Sequence, residues 1–113
     1  MLTSQIDMNT FNSLKESTGA DYIGELIDAF LDDAPNLLAQ MKSALDNNDA
    51  ASFRRAAHSM KSNAATFGAM ELSLLAKELE GLARENNLEI GNKLEVMEYS
   101  FRQVESQLRA LKS

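Results

Sequence analysis

The chain has 113 residues, one proline, no tryptophan, no cysteine and a net charge of −6. That length suits one domain, residues 1–113, with a core that needs no staples, and the missing cysteine excludes a disulfide framework and thiol chemistry. The acidic balance argues against nucleic acid as a partner, since a basic patch dominates that affinity, and the scarcity of glycine and proline favours helices over sheet.

In chain order, Met1–Gln5 lack the basic start and apolar core of a signal peptide. No later apolar run approaches a membrane span, so a cytoplasmic protein with no membrane partner is expected. Met8, Phe11 and Leu14 step by three, which predicts a short first helix capped by Asp7 and ended at Thr18-Gly19. It is expected to lie as a lid on one end of a bundle. Asp21 is placed to cap a long second helix, whose Ile23, Leu26, Ile27, Phe30 and Leu31 form one apolar face. Pro35 predicts a kink or brief break, after which Leu38, Met41, Ala44 and Leu45 resume the period. Asp46-Asn47-Asn48-Asp49 reads as a turn, with Asn48 or Asp49 capping the next helix.

The third helix is predicted from about Ala50 to Thr66, closed by Phe67-Gly68. A fourth covers roughly Met70 to Glu85, with Leu72, Leu75, Ala76, Leu79, Leu82 and Ala83 on one face. The fifth begins near Asn92, where Leu94, Met97, Phe101, Val104, Leu108 and Leu111 alternate steps of three and four. Four long amphipathic helices with short connections predict an all-α fold. The expected form is an antiparallel up-down-up-down four-helix bundle with a short extra N-terminal helix.

The third helix carries the chemistry. At about 100° per residue, Phe53, Ala56, Met60, Ala64 and Phe67 share the inner side, with Ala57 at its edge. His58, the single histidine, points roughly opposite, so the apolar face is complete without it. Ala51, Arg54, Arg55, Lys61, Ser62 and Ala65 surround it on the outer side. From Ala50 to Met70 there is no Asp or Glu. Arg54, Arg55 and Lys61 give this stretch +3 in a chain of −6, leaving −9 for the remainder. Cations around an outward imidazole, with small Ser62 and Ala65 beyond it, suit a dianionic phosphoryl group and an approaching partner. Other readings exist. Arg54 and Arg55 can pair with acids of a neighbouring helix, such as Asp32, Asp33 or Glu80. Ser62 and Ala65 can be small for helix propensity alone.

His58-Ser59-Met60-Lys61-Ser62, followed by Gly68-Ala69, resembles the signature of histidine-containing phosphotransfer (HPt) domains. That pattern runs roughly His-x-Leu-Lys-[Gly/Ser]-x-[Ser/Ala]-x-x-x-Gly-Ala. Met60 replaces the usual leucine at similar volume. Ala64 stands where serine is frequent. The resemblance implies a four-helix bundle with an exposed, phosphorylated histidine midway along one helix. It implies that His58 takes a phosphoryl group from a receiver-domain aspartate and passes it to another receiver. Lys61 would assist, with Arg54, Arg55, Ser62, Ala65 and Gly68 on the phosphate or docking face. Response-regulator receivers and a hybrid histidine kinase are the implied partners of a monomeric domain.

One His and no Cys leave no metal-ligand set near His58. No glycine loop cradles ATP and no acid on the same helix orients the imidazole, so autonomous catalysis is not expected. No cofactor is expected, with Mg²⁺ belonging to the partner receiver. The competing class is a non-catalytic helical interaction bundle with a vestigial histidine.

Overall fold

The computed structural model describes residues 5–112; residues 1–4, where no signal-peptide start is expected, and residue 113 lie outside the described residues. Five helices and no strand occur among them: α1 (Met8–Thr18), α2 (Ile23–Asp46), α3 (Ala50–Thr66), α4 (Met70–Arg84) and α5 (Lys93–Lys112).

Local chemistry sets most of the boundaries. The Asp7 carboxylate accepts from the Asn9 backbone N–H and the Thr10 hydroxyl, satisfying donors that α1 leaves open. Asp49 does the same for α3, accepting from the Ser52 backbone N–H and hydroxyl. One expectation at α2 is not met, and of the kink or brief break expected at Pro35 the break does not form. Asp21 does not cap it; Tyr22 holds the N-cap position without a side-chain bond, because a turn through residues 20–22 carries the chain past Asp21. Nor does α2 break at Pro35, which sits exposed inside a continuous helix. Buried Phe30, Leu31, Ala34, Leu37 and Leu38 clamp the turns on both sides, and that packing outweighs one lost backbone bond.

The four long helices close a ring of contacts, with α3 against α2 and α4, and α5 against α2 and α4. Phe30 of α2 joins three elements, its ring centroid 5.2 Å from Phe67 and 5.9 Å edge-on from Phe101. Met60, Ala64, Leu72, Leu79, Met97 and Leu108 are fully enclosed. Helix α1 rests on α2 and α3 through Phe11. Met8, expected with it, is 41% exposed, because the helix is too short to turn both ends inward.

The segment before α1 is tied to the far end of α3. Asp7 N–H donates to the Gly68 carbonyl at 2.8 Å, and Ile6 N–H donates to the Gln107 side chain at 2.9 Å. Gly68 has φ +84°, and a Cβ there would lie 2.7 Å from the Asp7 carbonyl oxygen. Only glycine meets both conditions. No described helix is long and apolar enough to cross a membrane.

Candidate phosphotransfer site

His58 lies midway along α3, where the inner side is filled by Ala56, Ala57, Met60 and Ala64. Its side chain is 59% exposed. The ring is nevertheless held. Nδ1 lies 2.6 Å from Oε2 of Glu80, a residue of α4 whose side chain is only 6% exposed. Glu80 Oε1 accepts from Lys61 Nζ at 2.7 Å, and Arg84 approaches Oε2 at 3.7 Å from one turn further along α4. Burial pushes the Glu80 carboxyl up. Hydrogen bonds from Lys61 and His58, with the charges of both, outweigh burial and hold it below its usual value.

An ionised carboxylate only accepts, so Nδ1 carries a proton towards it, and in the neutral form of the ring Nε2 then keeps its lone pair. The arrangement is an oriented imidazole whose second nitrogen is not engaged by Glu80. A further bond secures the α3–α4 seam beneath it: the Ser73 hydroxyl donates to the Lys61 carbonyl at 2.9 Å.

The other residues singled out from sequence fall in three places. Arg54, Arg55, His58 and Ser59 line one open cavity of about 460 Å³ with Glu80 and Arg84. Arg55 also donates to the Ser52 hydroxyl at 3.0 Å, which ties it to the α3 cap. Ser62 is exposed and Ala65 half-buried along the outer side of α3. Gly68 stands apart, buried under Asp7, so its glycine has a packing reason independent of any partner. On the α2 side of α3 runs a mainly apolar groove of about 370 Å³, lined by Leu26, Ala29, Phe30, Asp33, Asn63, Thr66 and Phe67.

Two residues of the site escaped sequence reasoning. Glu80 counts there only as a possible arginine partner, yet it holds the histidine and the lysine. Arg84 is not singled out at all. A signal existed: Glu80 sits beside Ala76, Leu79 and Ala83, at the edge of the buried stripe of α4, where a lone acid needs a partner. No group of three or more potential metal ligands occurs among the described residues.

The family model described as Hpt domain matches residues 25–113. Among solved structures the chain is similar to histidine-containing phosphotransfer protein B (HptB) from Pseudomonas aeruginosa PAO1. The identity is 31%, the TM-score 0.87, and the likeness covers 95% of this chain and 93% of that one. No curated protein matches the sequence.

Proposed function

Because the chain belongs to the Hpt domain family, it serves phosphorelay histidine phosphotransfer, and we propose that His58 is the residue that carries the phosphoryl group. One observation supports this most: the single histidine is more than half exposed, yet fixed through Nδ1 by a buried carboxylate.

The Nε2 lone pair attacks the phosphorus of a receiver aspartyl phosphate in line. The N–P bond forms as the P–O bond to the aspartate breaks, and the aspartate leaves as carboxylate. No proton moves, because Nδ1 keeps its hydrogen. The positive charge that develops on the ring faces Glu80 at 2.6 Å. Reversal of the same step passes the group to a second receiver aspartate. Lys61, whose ammonium has donors beyond the one given to Glu80, and Arg54 neutralise phosphoryl charge. The receiver contributes its acidic pocket and Mg²⁺; this chain needs no cofactor.

Docking falls on the outer side of α3, past Ser62 and Ala65, and on the apolar groove shared with α2. The contact is small and transient, since the partner must leave after transfer. Connections 47–49 and 67–69 support an antiparallel up-down-up-down arrangement, which leaves this face uncovered. We place the domain in the cytoplasm as a monomer without kinase activity of its own, charged by a hybrid histidine kinase and served by response-regulator receivers. The −6 charge speaks against nucleic acid and the sequence against a membrane. A vestigial bundle is disfavoured because His58, Glu80 and Lys61 remain assembled.

The test is label transfer from phosphorylated receiver domains. Wild-type chain takes acid-labile, base-stable label; His58→Gln takes none and keeps its circular dichroism spectrum. Label on His58→Gln, or acid-stable label on Ser59 or Ser62, refutes the assignment.

A further inference from the structure

The groove between α2 and α3 is apolar in its floor and unsatisfied at its rim. Phe30 and Phe67 are buried there, with Leu26 and Ala29 beside them. Thr66 is satisfied, its hydroxyl donating to the Ser62 carbonyl at 3.0 Å. Asp33 and Asn63 are not. Neither side chain has an ion-pair or hydrogen-bond partner among the described residues, and Asp33 is the charged residue of the groove lining.

Charge divides along the same groove. From Glu16 to Met41, the stretch that supplies the α2 wall, the chain has six acids and no base. Of these acids Asp28 is paired, with Lys112 at 2.6 Å. From Ala50 to Met70, the stretch of the α3 wall, the chain has three cations and no acid. The sign of the surface therefore changes across the groove floor.

We propose that Asp33 is a specificity determinant for the docked receiver, selecting one that presents a lysine or arginine next to the apolar side chain it sets into the groove. The inference rests on His58 as carrier and on docking at this groove. A receiver brings its acidic pocket to His58, where those acids meet the cations of α3. Spanning the groove, the same receiver reaches the α2 wall, where an acid is repelled and a cation is held. Seating an apolar side chain among Leu26, Ala29, Phe30 and Phe67 takes water from Asp33 and Asn63. A carboxylate that loses water without gaining a donor costs free energy, so a receiver lacking the cation docks worse, whatever its fit to the floor. The Asn63 amide both donates and accepts, so it takes either kind of partner; Asp33 only accepts, and it does the selecting. Opposite signs on the two walls also set the orientation. Turned end for end, the receiver would place acid on acid and cation on cation, away from the alignment that in-line attack requires.

The probe is a phosphorylated receiver domain that charges the wild type, with single-turnover rates measured across receiver concentration at low and at high salt. Asp33→Asn is expected to raise the half-saturating concentration by about two- to fivefold, the worth of one exposed ion pair, and Asp33→Lys by roughly tenfold. The loss lies in half-saturation rather than in the saturated rate, and it shrinks at high salt. Asp46→Lys, at the far end of α2, makes the same change in net charge and should leave half-saturation near the wild-type value. Reversing the receiver's exposed lysines and arginines to glutamate, one at a time, should yield one receiver that Asp33→Lys accepts better than the wild type does. Half-saturation in Asp33→Lys raised no more than in Asp46→Lys, or no reversed receiver that restores it, overturns selection by Asp33 and leaves His58 as carrier. A wild type that takes label from neither a receiver nor phosphoramidate, a small donor that needs no docking surface, overturns both.

Discussion

Glu80 and His58 meet across the α3–α4 seam at 2.6 Å, the acid 6% exposed and the ring 59%. A buried acid thus orients a solvent-facing imidazole. Glu80→Gln keeps the volume but removes the charge that faces the developing imidazolium. Single-turnover transfer from a receiver is expected to slow by roughly tenfold, the worth of one pKa unit of charge stabilisation. Rapid-quench labelling measures this, and an unchanged rate would take Glu80 out of the chemistry.

Lys61 makes a structural contact that the sequence does not suggest. The sequence places it on the outer side of α3, and the family resemblance implies that it assists transfer. In the structure it is 28% exposed and bound to Glu80 at 2.7 Å. Lys61→Ala is therefore expected to slow transfer and also to lower stability by about 1–3 kcal/mol, because it strips a partner from a buried acid. In a Glu80→Gln background the same substitution should cost clearly less. Urea melts of the four proteins give the coupling, and additive losses would mean that the two side chains do not depend on each other.

Acid should expose the same dependence. The Glu80 carboxyl is held below its usual 4.5 in the folded chain and titrates near that value when unfolded. A depressed folded pKa adds stability above pH about 4.5 that is lost as pH falls through the folded value. Asp49, held low chiefly by the Ser52 hydroxyl, acts in the same direction. Denaturant midpoints measured from pH 7 to pH 3 should fall more steeply for wild type than for Glu80→Gln. Parallel curves would show that Glu80 contributes nothing to the acid response.

Periodicity made the helices legible because packing repeats along one element. Phe53, Met60 and Ala64 can be assigned inward from spacing alone, and His58 outward by the same count. Caps such as Asp7 and Asp49 are equally local. The Glu80 contact is not local: it joins residues 22 positions apart through the relative rotation of two helices, which no single-helix pattern encodes. Asp21 fails as a cap, and the break at Pro35 does not form, for a related reason, since one extra turn and tertiary packing override a local rule. Gly68 is visible as a helix stop, but its contact with Asp7 depends on where α1 docks.

The last prediction separates docking from folding at two small residues of the same helix end. Ser62 is exposed one turn beyond His58, so Ser62→Trp changes no core volume and should leave the melting temperature nearly unaltered. If a receiver docks on this side, it should suppress transfer from that receiver, while phosphoramidate still labels His58. Gly68→Ala should do the reverse. Its φ of +84° and the 2.7 Å approach to the Asp7 carbonyl oxygen strain any Cβ, at a cost of about 1–3 kcal/mol. His58, Glu80 and Lys61 lie away from that contact, so transfer measured well below the melting temperature should stay near the wild-type rate. Paired thermal melts and single-turnover assays on the two variants decide the matter. Slow transfer in a well-folded Gly68→Ala would put this glycine on the docking face after all, and normal transfer in Ser62→Trp would move that face away from the outer side of α3.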